Sequence, residues 1–295
     1  MSPPARDPKA APLGIIAGAG ELPHIAAAEA LARGESVRIF HFTDQIAPDL
    51  APISERVVVT RLYSSVFRAL RRHQIQRVLL IGKATRDLLF DRPRFDLRTL
   101  WLLLRMRSQS DTNLYAAVSG EIKKRGMVLV SQLEYLQSQQ LAVGRYGPRL
   151  KRSAIKDIEF GLRHASVLNQ LDVGQSVVVG QLSVLALEAA EGTDECILRG
   201  GGLFRRKGAI VCKLPKSDHD LRFDIPTIGS NTIQSMMKSG CRAIAFRSDC
   251  TIIVDPPTLV ESARQAGVTL LALPSPAGWS RTVIEQVNRT PGKVK

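Results

Sequence analysis

Hydrophobic and polar positions along the chain predict strands that alternate with helices. Short apolar runs bounded by glycine or polar residues predict buried strands, and apolar residues three and four positions apart predict helices. The predicted strands cover residues 13–17, 37–40, 57–60, 77–81, 127–130, 175–180, 183–187, 209–214, 243–246, 251–254 and 269–273. The predicted helices cover residues 22–32, 64–74, 97–107, 111–125, 158–171, 227–239 and 257–266. This alternation is typical of the α/β class, in which helices cover mainly parallel sheets.

One short segment interrupts the pattern and predicts a domain boundary. Residues 144–152 are basic and are broken by glycine and proline, as expected of a linker. The chain is therefore divided into an N-terminal α/β domain at residues 12–143 and a C-terminal α/β domain at residues 153–295. Residues 1–11 lack the apolar core of a signal peptide and predict a disordered tail.

The composition is that of an ordinary globular protein. Hydrophobic residues make up 44% and charged residues 23% of the chain, and no apolar run approaches the length of a membrane span. The four cysteines do not lie at Cys-x-x-Cys spacing, which disfavours a zinc site or a redox pair. The expected chain is reduced and cytoplasmic, with buried thiols.

Positive charge is concentrated in one third of the chain. The net charge is +14, and residues 61–152 contain 19 Lys or Arg against 6 Asp or Glu. Such an excess favours an anionic partner, which can be a nucleic acid, an anionic membrane surface or a phosphorylated substrate. The low aromatic content of 5% and the absence of a nucleic-acid-binding motif weigh against nucleic acid.

The segment 97–107 mixes bulky apolar residues with arginines. Its pattern slightly favours an ordinary core helix with basic ends. The alternative is a helix that lies in a membrane interface, with Trp101 at the depth of the headgroups.

A glycine turn follows the first predicted strand and precedes the first helix. Glycines at such a place allow backbone amides to approach a phosphate, and these residues are Gly18, Ala19 and Gly20. Pro23 occupies the position where the dinucleotide fingerprint requires glycine or alanine, which disfavours NAD. A nucleotide phosphate and a purely structural turn both remain open.

Basic residues follow the strand predicted at 77–81. Ligands collect at the carboxyl ends of parallel strands, so Lys83 and Arg86 can face a phosphate. The alternative is a solvated basic loop.

The segment 213–229 contains the strongest candidate chemistry. Polar and apolar residues alternate from position 220 to 225, so an extended segment places Asp220, Arg222 and Asp224 on one face. These groups, with Lys213 upstream, can hold a divalent cation and a phosphate together. A half-buried strand with a solvated charged face explains the pattern equally well.

A second polar group follows the strand predicted at 183–187. Glu188, Thr193 and Asp194 can cap the next helix or coordinate a cation, and capping alone would explain Thr193 and Asp194. The five histidines show no metal-ligand spacing, and no serine-hydrolase elbow, Walker loop or zinc-protease motif occurs.

Together these residues resemble the family of LpxI-type UDP-2,3-diacylglucosamine pyrophosphatases over nearly the whole chain. The matching segments are residues 14–20 with Leu22-Pro23, residues 81–83, residues 172–179, Glu188 with residues 191–194, residues 220–226, and Gly229. The segment at 14–20 alone is a weak signal. Glu188 with residues 191–194, followed in order and at this distance by residues 220–226 with Gly229, is a specific one.

The resemblance implies an enzyme that hydrolyses UDP-2,3-diacylglucosamine to UMP and 2,3-diacylglucosamine 1-phosphate (lipid X) in lipid A biosynthesis. It also implies a divalent cation, usually Mg²⁺, and water that attacks the phosphorus on the sugar side. Two α/β domains, the first Rossmann-like, would close over the lipid and form the active site in the cleft between them. The family further implies a homodimer. With such a substrate, the basic region at 61–152 and the Trp101 helix would dock the cytoplasmic protein on the anionic inner leaflet, and no nucleic-acid partner is expected.

The family's catalytic aspartate lies in an Asp-x-Arg-x-Asp-x-Pro segment, which corresponds here to Asp220 and Asp224 without distinguishing between them. Arg222 lies between them as a third catalytic candidate. For this chemistry we expect the metal ligands to be Asp220, Asp224 and Asp194. The expected substrate-binding residues are Gly18, Ala19, Gly20, Lys83, Arg86, Glu188, Thr193 and Lys213.

The chain departs from the family pattern immediately before this segment. The family commonly has Pro-Gly-Gln there, whereas this chain has Ser217, Asp218 and His219. The departure affects the expected local geometry more than the reaction. The competing interpretation is a non-catalytic α/β protein that binds a nucleotide or a lipid, and an α/β oxidoreductase is disfavoured by Pro23.

Overall fold

The computed structural model describes nine parts of the chain, which form two compact units. The described residues are 11–42, 46–82, 95–104, 111–171, 173–204, 207–215, 222, 225–275 and 279–294. The main body of the first unit ends at Leu136, and the second unit begins at Gln137. Among these residues, no helix has both the length and the apolar character needed to cross a bilayer.

The first unit contains one parallel sheet and its covering helices. Its strands are β1 Leu13–Ala17, β2 Val37–His41, β3 Ser54–Arg56, β4 Arg77–Ile81 and β5 Val128–Leu129. Its helices are α1 Leu22–Ala32, α2 Phe67–Arg72, α3 Leu97–Leu104, α4 Asp111–Lys124 and α5 Gln132–Tyr135. The strand order is β3-β2-β1-β4-β5, and every pair is parallel. Every residue of β1 and β4 is buried, as expected for central strands covered on both faces.

Asp96 fixes the start of α3 against a π-helical turn at Leu62–Val66. One carboxylate oxygen accepts hydrogen bonds from the backbone and hydroxyl of Thr99, both at 2.7 Å. The other accepts from the amides of Tyr63 and Ser64 at 3.1 and 2.9 Å and from the Ser64 hydroxyl at 3.0 Å. Burial acts to raise the pKa of Asp96, but these hydrogen bonds outweigh it and lower the pKa to about 2.

The second unit is built on a mixed six-stranded sheet. Its strands are β6 Gly144–Tyr146, β7 Ser176–Gly180, β8 Ser183–Leu187, β9 Ile210–Lys213, β11 Ala243–Arg247 and β13 Thr269–Leu273, and β10 Thr227–Ile228 pairs with β12 Ile252–Ile253 in a separate small sheet. Its helices are α6 Arg152–Gln170, α7 Thr193–Leu203, α8 Ser230–Ser239, α9 Pro256–Gln265 and α10 Arg281–Arg289. The order is β6-β13-β11-β9-β7-β8, in which β13, β11 and β9 are parallel. The strands β6, β7 and β8 each run antiparallel to their neighbours.

A β-bulge lies in the hairpin formed by β7 and β8. The pairing passes from Val178–Ala186 to Val179–Val184, which leaves Leu185 as an extra residue on β8. The two turn residues, Gln181 and Leu182, have positive φ angles of 50° and 57°. Two-residue hairpins require this left-handed backbone, which usually favours asparagine or glycine.

Most predicted elements agree with the structure, and the differences arise where elements are short. Residues 57–60 are not a strand, and the edge strand β3 precedes them. The helix predicted at 64–74 begins as the π-helical turn and becomes α-helical only at Phe67. Residues 227–239 begin as β10, because the β-branched pair before Gly229 pairs with β12, and only then continue as α8.

The predicted linker at 144–152 differs from the structure. Its first three residues form β6, which pairs with β13, and its last residue begins α6. Tyr146 is buried in the core of the second unit, so the segment is part of that unit. The predicted tail at 1–11 lies outside the described residues except for Ala11, and so does most of the extended segment predicted at 220–225.

Candidate active site

Polar side chains from three strands meet at one edge of the second sheet. Strand β9 ends at Lys213, β7 begins at Ser176, and Glu188 directly follows β8. Because β7 runs antiparallel to both neighbours, its first residue lies beside the last residues of β8 and β9. Ser176 is in register with Lys213, and its carbonyl accepts a 3.0 Å hydrogen bond from the amide of Glu188. Residues distant in sequence are thereby brought together.

A chain of hydrogen bonds joins Lys213 to Glu188. Lys213 is only 5% exposed, and its Nζ donates to Thr193 Oγ1 at 2.7 Å. The Thr193 hydroxyl in turn donates to Glu188 Oε1 at 3.0 Å, and Ser176 Oγ lies 3.4 Å from the same hydroxyl. A buried ammonium group is unfavourable without hydrogen bonds and negative charge nearby, and Thr193 and Glu188 supply these. We call these four residues the polar cluster.

The second carboxylate oxygen of Glu188 is a distinctive feature of the polar cluster. Among the described residues, Glu188 Oε2 is buried and has no hydrogen-bond partner. A Cβ atom at position 174 would lie 2.2 Å from the Glu188 carbonyl oxygen, so only glycine permits this close approach. Buried polar atoms normally have partners, and this oxygen is therefore a candidate acceptor for a ligand or a cation.

Two helices begin beside the polar cluster with uncapped first turns. Helix α7 follows Gly192 and α8 follows Gly229, and neither glycine supplies a side-chain cap. The Thr232 hydroxyl donates to Asp194 Oδ1 at 3.1 Å, which ties the two first turns together. The first N–H groups of a helix generally lack acceptors within the helix, and together with the helix dipoles they make this edge favourable for a phosphate.

The glycine turn of the first unit lies where the sequence predicts it, between β1 and α1. The amide of Gly18 donates to the Ile81 carbonyl at 2.8 Å. Gly82 has a φ of 98°, and a Cβ there would come within 2.8 Å of the Gly18 backbone. Gly20 has a φ of 104°, and a Cβ there would meet nothing within 4 Å. Ala19, which lies between Gly18 and Gly20, is partly exposed, so the turn presents its backbone to an open surface.

The cysteines provide no thiolate for catalysis. All four are free and buried, and burial raises the pKa of Cys250 to about 12. Burial, followed by the negative charge of Glu188, likewise raises the pKa of Cys196 to about 12. The burial of all four thiols confirms the prediction of buried cysteines, and the raised pKa values of Cys196 and Cys250 disfavour the thiolate form at neutral pH.

Several predicted site residues lie outside the described residues: Asp220, Asp224, Lys83 and Arg86, with His219. Their roles stay predictions from the sequence. Arg222 is described and is exposed. Of the remaining predicted residues, Glu188, Thr193 and Lys213 are brought together, and Asp194 is next to them.

The described residues alone do not form a complete metal site. They contain no group of three or more His, Cys, Asp or Glu side chains able to hold an ion. Glu188 and Asp194 nevertheless supply carboxylate oxygens, which are the ligands that Mg²⁺ prefers.

Three contributors were not predicted as site residues. Ser176 is a polar residue at the start of an apolar strand, and this contrast could have marked it as a site candidate. Thr232 follows Gly229 by three residues, at the start of a helix. The role of Gly174 depends on a close approach to Glu188 that no local pattern reveals.

Two family models match this chain, one in each half. The LpxI N-terminal domain model matches residues 12–139, and the LpxI C-terminal domain model matches residues 144–271. The chain belongs to the LpxI family. It is 29% identical over 279 residues to the UDP-2,3-diacylglucosamine pyrophosphatase LpxI of Caulobacter vibrioides. The similarity covers 88% of this chain and 97% of that relative.

The matched ranges divide this chain close to the boundary between its compact units. The C-terminal model begins at β6, the strand that the sequence pattern had assigned to a linker. The polar cluster lies entirely within the range of the C-terminal model.

Proposed function

We propose that this protein hydrolyses the pyrophosphate bond of UDP-2,3-diacylglucosamine and releases UMP and 2,3-diacylglucosamine 1-phosphate. The observation that carries the proposal is the similarity to the Caulobacter relative named for this activity, which extends over 97% of that relative. The polar cluster supports the proposal, because the buried ammonium group of Lys213, beside two helix N-termini, provides positive charge for a diphosphate.

The residues of the second unit have distinct proposed roles. Lys213, held by Thr193, neutralises charge on the phosphates, and the first turns of α7 and α8 add backbone donors. Asp220 and Asp224 orient the attacking water and take up its proton, and Arg222 stabilises charge on the phosphates. Water attacks the phosphorus on the sugar side, and UMP is the leaving group.

Residues of the first unit bind the other part of the substrate. The backbone of Gly18, Ala19 and Gly20 accommodates the UDP end, which the open surface at Gly20 supports. Lys83 and Arg86 contribute positive charge. The five-strand order of the first sheet supports the Rossmann-like assignment. An active site in a cleft between the domains stays a prediction from the sequence.

A divalent cation, Mg²⁺, is part of the proposal. Asp220, Asp224 and Asp194 would hold it. Glu188, whose Oε2 has no partner among the described residues, is hydrogen-bonded to Thr193, the residue before Asp194. When bound, the cation supplies charge neutralisation at the diphosphate.

The decisive experiment measures UMP release from UDP-2,3-diacylglucosamine with and without Mg²⁺. The wild type is expected to release UMP only with the cation, and Asp224→Ala is expected to lose turnover while it retains substrate binding. Products made in ¹⁸O-labelled water should carry the label on the sugar 1-phosphate. Substrate binding without UMP release by the wild type would instead favour the non-catalytic interpretation, and near-normal turnover by Asp224→Ala would remove that residue from the mechanism.

Attachment to the membrane surface and formation of a homodimer are further parts of the proposal. Leu97, Trp101 and Leu104 of α3 are 86%, 54% and 76% exposed, which supports contact with an apolar surface. Sedimentation with anionic vesicles tests attachment, and light scattering measures the oligomeric state.

A further inference from the structure

A cavity of about 820 Å³ opens at the edge of the second sheet opposite the polar cluster. Its lining includes Ile210 at the start of β9, Arg242 just before β11 and Thr269 at the start of β13. Lys213 of the polar cluster lies at the other end of β9, about 10 Å away along the strand. The cavity is therefore separate from the polar cluster.

Positive side chains line the cavity, and they form no ion pair with any of the described carboxylates. Five basic side chains contribute to its wall: Arg149, Lys151, Lys156, Lys207 and Arg242. In the described part of the chain none of the five pairs with a carboxylate, whereas Arg281 pairs with Glu159 at 2.9 Å and Arg264 with Glu261 at 2.7 Å. A concave surface with charge of one sign concentrates ions of the opposite sign.

Among the described residues that line the cavity, the one carboxylate is already engaged. The two oxygens of Asp157 accept hydrogen bonds from the backbone amides of Gln181 and Leu182, at 3.1 and 2.7 Å. These bonds stabilise the left-handed hairpin turn between β7 and β8. Within the described lining, Asp157 therefore provides no carboxylate partner for the cations.

The loop that carries two of the cations is held in place. Thr269 Oγ1 donates to the Pro148 carbonyl at 2.7 Å. The side chain of Asn288, 4% exposed, accepts from the Leu150 amide and donates to the Leu150 carbonyl, both at 3.0 Å. Backbone on both sides of Arg149 is thus fixed, which lowers the entropic cost of binding a ligand.

Helix α6 begins at the same cavity and adds to its positive potential. It is 19 residues long, its N-cap Lys151 provides no side-chain hydrogen bond, and Ser153 and Ala154 of its first turn line the wall. The apolar part of the lining includes Leu182, Phe204 and Met237. The cavity thus offers charge for phosphates and apolar surface for a further group, within the usual size range of small-molecule sites.

We infer that this cavity binds a phosphate-bearing small molecule with an apolar or aromatic portion, at a site distinct from the one that hydrolyses the substrate. The five cations and the first turn of α6 bind the phosphates, and Phe204 and Met237 contact the remainder. The same phosphate chemistry occurs in soluble nucleotides and in lipid headgroups.

The test uses the full-length protein and tripolyphosphate as the probe in isothermal titration calorimetry at low salt. The triple variant Lys151→Gln/Lys207→Gln/Arg242→Gln should bind at least tenfold more weakly than the wild type. Arg163→Gln, an exposed change further along α6, is the matched control and should bind normally. Lys213→Met should also bind normally, because it changes only the polar cluster. Equal affinity in the triple variant and the wild type, or loss of binding in Lys213→Met alone, would overturn the inference.

Additional experiments distinguish a soluble phosphate ligand from a lipid headgroup, and a single variant is used if the triple variant misfolds. Titration with ADP tests a soluble ligand, and sedimentation with phosphatidylglycerol vesicles against phosphatidylcholine vesicles tests a headgroup; either signal must weaken in the triple variant. The single variant Lys207→Glu, at an exposed position outside helices and strands, repeats the test if the triple variant does not fold. Retained UMP release by these variants would show that the cavity is independent of the proposed reaction.

Discussion

Replacing Thr193 by valine removes the hydroxyl that joins the two charged groups of the polar cluster while it preserves the shape of the side chain. Lys213 Nζ loses an acceptor at 2.7 Å, and Glu188 Oε1 loses a donor at 3.0 Å. A hydrogen bond to a charged group contributes about 1.5–3 kcal/mol. Because Thr193 is only partly buried, the lower end applies to each bond, and the expected loss of stability is about 3 kcal/mol.

The unfolding of the second unit can be followed by itself. The chain has two tryptophans, and Trp101→Phe leaves Trp279 of the second unit as the only fluorescent indole. In that background, urea unfolding of Thr193→Val should show the full loss, whereas Thr193→Ser, which keeps the hydroxyl, should lose less than about 1 kcal/mol. We also expect Thr193→Val to lower kcat/KM at least tenfold, since Lys213 loses its fixed position. A Thr193→Val protein as stable as the serine variant would refute the reasoning.

Three other predictions concern separate features. Gly174→Ala should displace Glu188, lower UMP release and reduce stability by about 1–3 kcal/mol, whereas Gly202→Ala, where a Cβ meets nothing within 4 Å, should be neutral in the same assays. Because folding lowers the pKa of Asp96, its carboxylate stabilises the fold above about pH 4, near its ordinary pKa, and this stabilisation is lost as the pH falls toward about 2. An acid titration followed by Trp101 fluorescence should show a transition in that range, and Asp96→Asn should lack the transition. The four buried cysteines should react with a thiol reagent at pH 8 only after unfolding, and rapid labelling of the native protein would contradict their raised pKa values.

The sequence pattern predicts the central elements of the fold well. Strands β1, β4 and β13 are apolar runs, preceded by Arg77 in β4 and by Thr269 in β13, and they are buried over their whole length, so their signal is strong. Strands β6 and β10 have three and two residues, which is too short for a periodic signal. Their existence depends on the neighbouring strands with which they pair, and that information is not local.

The candidate site shows a similar division. Glu188 and Thr193 were predicted because polar residues follow an apolar strand there, and Lys213 because it lies just upstream of the acidic segment at 220–224. Their hydrogen-bonded chain could not be predicted, because it requires β7 to run antiparallel between β8 and β9. The pattern of apolar residues in β7 fits either direction, and the family resemblance rather than periodicity provided the residue roles.

The bulge at Leu185 affects how this family can change in length. Residues opposite each other on paired strands point to the same face, so the side of Glu188 is set by its position beside Ser176. Removing Leu185 would make Val178–Ala186 and Val179–Val184 consecutive pairs of a regular hairpin, and the carboxylate would keep its place. Removing a second residue would shift the pairing by one position and turn the carboxylate toward the opposite face. We therefore expect relatives with a gap in this hairpin to lack a single residue and to lack the bulge with it.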